Sequence, residues 1–300
     1  LFEPQTSEGK LGEDKLKKLL EGHDNQKNTP LHLAAKMGSK SVFEYLLDRG
    51  RNFKASTSTE QETPDTYGIN RPVNRIQQTP LHECAKHNHV ELIESLLSDG
   101  AKSAQYKKWL DNIKCENRMT CLHLACCQGH LKTVIYLVEK RRVSINPLAA
   151  GRETPLYFAC EGGFSLVVEY LLNNTNADPT LRTSRHYNCL DIAIARRHPD
   201  IVKDLLKCSE WRTLMASAQY EGNDVPITPM RRLIISMPDI AYELIDKHFT
   251  TIIGGPDQPK HLVKYDYTFI DDHYNVVDWL QVNRVMQIII RLIKSISALK

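Results

Sequence analysis

This 300-residue chain lacks most of the features that would announce a chemistry or a compartment. No stretch approaches the roughly 18 consecutive apolar residues of a membrane helix. No basic, then apolar leader opens it, so the reading expects a protein neither secreted nor, within these residues, membrane-spanning. Eight cysteines at irregular spacing are too few for a disulfide scaffold and point to free thiols in a reducing, cytosolic setting. Thirty-nine Lys and Arg against 36 Asp and Glu leave a net charge of +3, too balanced for binding driven by phosphate neutralisation, so no nucleic-acid partner is expected. A glycine-rich phosphate loop, HExxH, GxSxG and usably spaced carboxylate pairs are all missing, which argues against an enzyme. What remains, 41% hydrophobic and 25% charged residues, is the composition of a chain that folds and buries a core.

What the sequence does have is a repeat. Thr29-Pro30-Leu31-His32 returns as Thr79-Pro80-Leu81-His82, Thr120-Cys121-Leu122-His123, Thr154-Pro155-Leu156-Tyr157 and Asn188-Cys189-Leu190-Asp191, at spacings of 50, 41, 34 and 34. Each copy offers a Thr or Asn able to cap a helix, usually followed by Pro, whose missing N–H is harmless at the first helical position. Small residues follow (Ala34-Ala35, Cys84-Ala85, Ala125-Cys126, Ala159-Cys160, Ala193), then a second apolar run such as Leu46-Leu47 or Leu205-Leu206. The pattern resembles the ankyrin repeat, a turn and two antiparallel helices of about 33 residues. Residues 26–209 then hold five repeats, and 1–25 the end of a preceding one, suggested by Leu16, Leu19 and Leu20. The surplus in the 50-residue spacing forms a mobile finger insertion at 55–78, and that in the 41-residue spacing lies around Lys102 to Cys115, where Trp109 and Leu110 could dock on the stack.

Beyond Cys208 the grammar changes. Residues 210–271 read as a helix-turn-helix and β-strand linker: a helix pair broken at Pro238, then a strand over Leu262 to Ile270. In 275–300, Val282, Val285, Ile289, Leu292, Ile296 and Leu299 are spaced as a heptad seam, and Met286, Ile288 and Ile293 widen it beyond a dimer's needs. The competing reading of that segment is a helix packed on its own stack. The fold class is thus mainly α: an ankyrin-repeat solenoid, a helical and short β-strand linker, and a C-terminal coiled-coil helix.

The order and spacing of Glu210-Trp211-Arg212, Gly222-Asn223-Asp224, Pro226-Ile227-Thr228, Met237-Pro238, Leu244-Ile245 and Lys264-Tyr265-Asp266-Tyr267-Thr268-Phe269 resemble the linker of the transient receptor potential ankyrin (TRPA) channels. Asn283 to Ile296 resembles that family's C-terminal coil. The resemblance implies a homotetrameric, non-selective, calcium-permeable cation channel at the cytoplasmic face of the plasma membrane, gated by thermal, mechanical or chemical stimuli. It implies a gating role for Trp211, Pro226, Ile227, Thr228, Tyr265, Tyr267 and Phe269. It also implies an inositol polyphosphate near the coil, contacted by Arg284, Arg291 and Lys294, whose plainer reading is solvated coil flanks. The family carries a membrane domain between linker and coil, whereas Phe269 and Val282 here are a dozen residues apart. The expectation is a join across that missing domain within 271–277. The alternative is a soluble scaffold that binds a cytosolic protein partner through the concave face of its ankyrin array.

His123, Cys126, Cys127 and His130 stand at metal-ligand spacing on one helix face, but the repeat itself accounts for both histidines, and no metal is expected. His32, His82 and His123 have no nucleophile beside them and are read as ties between adjacent turns. Vertebrate TRPA channels sense electrophiles through linker thiols, where this chain has Val225 and His248, so electrophile gating through the linker is not expected. Cys84, Cys126 and Cys160 are read as inert packing residues.

Overall fold

In the computed structural model every Thr-Pro or equivalent start is a helix N-terminus: inner helices begin at Pro30, Pro80, Cys121, Pro155 and Cys189. The structure describes residues 20, 22–55, 74–97, 110–217, 219–220, 226–253, 262–266 and 269. The finger at 56–73, the join at 271–277 and the whole seam from Val282 to Leu299, with Arg284, Arg291 and Lys294, lie outside the described residues, as do Trp109, Val225 and Tyr267. The chain divides into two units, 1–177 and 178–300.

In the first unit, inner and outer helices alternate: α1 (Pro30–Met37), α2 (Lys40–Ala55), α3 (Pro80–Lys86), α4 (Val90–Leu97), α5 (Cys121–Cys127), α6 (Leu131–Ile135, continued by a π turn Tyr136–Lys140), α7 (Pro155–Gly162) and α8 (Ser165–Asn174). Successive inner helices pack together. Ala35, Cys84, Ala85, Ala125, Cys126, Ala159 and Cys160 are fully buried there, because only small side chains let short helices approach this closely. Leu110 is buried as well.

Two backbone positions in each repeat fall in the left-handed region. Two residues before the Thr or Asn start stand Lys27, Gln77, Arg118, Arg152 and His186; nine residues after it stand Gly38, Asn88, Gly129, Gly163 and Arg197. Their φ values run from 55° (Gln77) to 80° (Gly163). The first position closes the turn before the inner helix, where Lys27, Gln77, Arg118 and Arg152 each donate N–H to the carbonyl three residues earlier. The second reverses the chain between inner and outer helix. Turns in the first unit are also bonded to one another: Arg75 N to Gln26 O at 2.9 Å, Glu116 N to Ile76 O at 3.0 Å, and Ala150 N to Asn117 O at 2.9 Å.

The second unit opens with a repeat start, α9 (Cys189–Ala195) and α10 (Pro199–Lys207), followed by α11 (Trp211–Met215). A short antiparallel pair, β1 (Gln219–Tyr220) and β2 (Pro226–Ile227), precedes α12 (Pro229–Ser236). Then come α13 (Pro238–Leu244, continued by a π turn Ile245–Phe249) and the antiparallel pair β3 (Thr250–Ile253) and β4 (Leu262–Tyr265). The helix pair breaks at Met237, with Pro238 opening the second helix. Thr228 accepts N–H of Arg231 at 3.3 Å with Pro229 at the first helical position, and α12 packs on α9. The linker's first helix therefore reuses the repeat's own start, with Met230 and Arg231 where the motif has Leu and His.

Two expected bounds shift. Helix α2 runs through Ala55, the residue at which irregular chain was expected to begin. The strand expected over 262–270 ends at Tyr265; at the next register position Asp266 still donates its N–H to Phe249 O at 2.7 Å, and Phe269 lies in an aromatic cluster.

Candidate functional site

Trp211 opens α11, and its ring meets three others: His248 at 4.8 Å, Phe249 at 5.7 Å in an edge-on arrangement, and Phe269 at 6.2 Å. Phe249 and Phe269 also touch, with centroids 5.8 Å apart. Edge-on and tilted pairs at these separations are the favoured geometries of aromatic side chains. Phe249 is fully buried, whereas Trp211 and Phe269 are half-buried, so the cluster has a closed base and an open rim. At the rim the Arg212 guanidinium lies 4.8 Å from the Trp211 ring centre and 3.9 Å from the Asp266 carboxylate. Both charges of that pair are substantially exposed, so it adds little stability and chiefly orients the chain after β4.

Of the linker residues expected to act together, Trp211 and Phe269 do meet. Pro226 and Ile227 form β2, and Thr228 caps α12. Tyr265 ends β4 opposite Thr250. His248 and Phe249 are the members that sequence reading missed. The β-branched run Thr250-Thr251-Ile252-Ile253 just after them was the signal for the partner strand.

The histidines are structural. In His32, His82 and His123, Nδ1 lies 3.3, 3.2 and 3.0 Å from the N–H of the Thr three residues earlier and accepts it. Nε2 then carries the proton. It points to the residue just before the next repeat's Thr: His32 donates to Gln78 O at 2.9 Å and His123 to Glu153 O at 3.3 Å. His82 faces the equivalent carbonyl, Met119, but its Nε2 has no partner at hydrogen-bond geometry. Burial pushes His82 and His123 down to about 4 and lowers His32 too, with the facing carbonyls resisting in each case. His130, held 2.8 Å from Lys86 O, is likewise committed, and Cys126 is fully buried, so His123, Cys126, Cys127 and His130 are not poised as ligands. Among the described residues no group of three His, Cys, Asp or Glu is placed to hold a metal. Burial raises the thiols of Cys84, Cys121 and Cys126 far above their usual range.

In the second unit Asn188 and Asp191 replace Thr and His. Asn188 Oδ1 accepts Asp191 N–H at 2.9 Å, Asp191 accepts Asn188 N–H at 3.0 Å, and Ser217 donates to Asp191 at 2.8 Å. The Asn188 amide also donates to Leu214 O at 3.0 Å, joining the repeat to the end of α11.

The chain belongs to the ankyrin-repeat family: the family description "Ankyrin repeats (3 copies)" matches residues 8–106, 66–149, 103–183 and 145–213. It is similar to the "Transient receptor potential cation channel subfamily A member 1 homolog" of Caenorhabditis elegans, at 22% identity over 88% of this chain and 23% of that protein. The human "Transient receptor potential cation channel subfamily A member 1" is 26% identical over 85% of this chain and 23% of its own length. The "Ankyrin repeat protein nuc-2" of Neurospora crassa is 29% identical over 50% of this chain and 12% of that protein. The chain thus spans under a quarter of the length of these relatives. No helix among the described residues is long and apolar enough to cross a membrane.

Proposed function

We propose that this chain is the sensory and assembly region, on the cytoplasmic side, of a tetrameric TRPA-type cation channel. The observation that carries this reading is reach. Both channel relatives align over 85% or more of the chain, whereas the ankyrin description ends at residue 213 and the Neurospora relative covers half. The aromatic cluster supports it, since Trp211 and Phe269 tie the helix in which the ankyrin match ends to the chain after β4. In this reading the repeats sense or bind, the linker passes strain toward a membrane domain, and the seam from Val282 to Leu299 gathers four subunits.

The second reading, a soluble scaffold that binds a protein through its repeats, is favoured by the Neurospora relative and by a 34% identical stretch in the "Palmitoyltransferase AKR1" of Debaryomyces hansenii, which covers 34% of this chain. Oligomeric state and current separate the two. Native mass spectrometry of the 300-residue chain should give a tetramer that Ile289→Asp dissociates, since four unpaired carboxylates on one axis cost several kcal/mol per ion. The full-length protein should conduct cations in a planar bilayer. A monomer at micromolar concentration, or a full-length protein without cation current, would refute the channel reading.

A further inference from the structure

The turns of the first unit form one continuous edge. Arg75 N–H bonds to Gln26 O at 2.9 Å, Glu116 N–H to Ile76 O at 3.0 Å and Ala150 N–H to Asn117 O at 2.9 Å, so the backbone itself fixes each turn beside the next. Along this edge stand Lys27, Arg75, Arg118 and Arg152, one cation in each turn, and all four are exposed. Among the described residues none of these four side chains is engaged in an ion pair or a hydrogen bond.

Three of the cations sit where a long side chain is conformationally costly. Lys27, Arg118 and Arg152 share one motif position, two residues before the Thr start, with φ 60°, 56° and 64°. Glycine adopts that backbone freely, whereas an L side chain crowds its own carbonyl there. Each of these turns therefore keeps a cation at the expense of local strain. Acids interrupt the row: Glu116 is exposed two residues before Arg118, and Glu153 is half-buried directly after Arg152. Asp24, in the first turn, is already committed, accepting the N–H groups of Gln26 and Asn28 at 2.8 Å each.

We infer that this edge of the first unit binds an extended acidic polypeptide whose carboxylates recur about every third residue. Packed helices lie about 8–10 Å apart, which sets the interval between equivalent turn residues, and an extended chain covers that interval in about three residues at roughly 3.3 Å each. Carboxylates at this period meet the guanidinium forks and the lysine in turn while stepping over Glu116 and Glu153. A single phosphate group reaches one cation of the row, and a flat anionic lipid surface is pressed against both acids. Ile76, 43% exposed in the second turn, adds an apolar contact within the row. The inference rests on the turns alone, whether the chain serves a channel or a scaffold.

The test is fluorescence anisotropy of two labelled dodecapeptides with the 300-residue chain. Each carries four glutamates among glycine and serine, at every third position in one and adjacent in the other. The spaced peptide should bind at least threefold more tightly than the clustered one. Arg118→Gly with Arg152→Gly removes two cations and relieves the left-handed backbone, so the spaced peptide should bind about tenfold more weakly although the thermal midpoint does not fall. Arg118→Gln with Arg152→Gln, which loses the charge alone, should weaken binding by a similar factor. Lys36→Gln with Lys132→Gln, at the helix ends away from the turns, should leave it within twofold. Raising salt from about 50 to 300 mM should weaken it severalfold, because exposed pairs are screened. The inference is overturned if the spaced peptide fails to bind, if the clustered peptide binds as tightly, or if the arginine variants bind like the wild type. It is equally overturned if phosphatidylserine vesicles bind the chain and the peptide does not.

Discussion

The ring of Phe164 occupies the space that a Cβ on Gly129 would fill. Gly129 has φ 72°, so it is held both by its own backbone and by the neighbouring repeat. Gly129→Ala combines left-handed strain of about 1–2 kcal/mol with overpacking of about 1–3 kcal/mol. A loss of about 2–5 kcal/mol in urea unfolding is expected. Pairing it with Phe164→Leu should return part of that loss; wild-type stability in the single variant would show that the junction is looser than described.

Acid should weaken the fold through its histidines. An unfolded imidazole titrates near 6.5. Folded His82 and His123 are lowered by burial to about 4, so between those values the unfolded chain binds protons that the folded chain refuses. Stability is full above pH 6.5, falls as pH drops toward 4 and then levels, by on the order of 3 kcal/mol per histidine across the window. Urea midpoints from pH 7 to 4 should trace this. In His123→Gln the slope should flatten by about 1.4 kcal/mol per pH unit, although the variant starts lower; an unchanged slope would count against His123 as a titrating tie.

Asn188 fills two roles with one amide. Asn188→Ala removes a helix cap worth about 1 kcal/mol and takes one of two donors from the Leu214 carbonyl, which keeps Ser217 N–H, for a further loss of about 0.5–1.5 kcal/mol. Thr at this position keeps the cap oxygen but not the amide, so Asn188→Thr should fall between the two. Equal stability of all three in thermal unfolding would remove Asn188 from the joint with α11.

Thiol labelling should sort by burial. Cys127 and Cys208 are half-buried, with thiols raised by burial, and Cys208 donates to Leu205 O at 2.9 Å. Both should react with a maleimide before Cys84, Cys121 and Cys126, yet more slowly than a small free thiol. Peptide mapping by mass spectrometry gives the order. Labelling of Cys126 at the rate of Cys127 would mean that the inner helices open far more readily than their burial allows.

The inner helices were legible because each rests on local chemistry: a capping Thr or Asn and small residues at fixed offsets in α1, α3, α5, α7 and α9, with a proline at the first helical position of α1, α3 and α7. The start of α12 carried the same Thr-Pro signal but stood 40 residues after Asn188, with Arg231 in the histidine's place, and read as linker. The aromatic cluster was half visible. Trp211 and Phe269 were singled out, but 58 residues separate them, and nothing local in the sequence says that Phe249 closes the base between them. The left-handed positions were hidden for the opposite reason, since Lys27, Arg118 and Arg197 are not residues that φ above zero favours. Their neighbours impose it.

His82 stands out among the three motif histidines. His32 and His123 each bridge to the next turn, whereas His82 faces Met119 without closing the bond. The junction between the Thr79 and Thr120 starts is crossed instead by Glu116 N to Ile76 O, by His130 on Lys86 O, by Thr133 Oγ1 on Asn88 Oδ1 and by Arg141 on Leu97 O. Ties in parallel share the load at each joint, so an array built this way carries one open tie without losing its register.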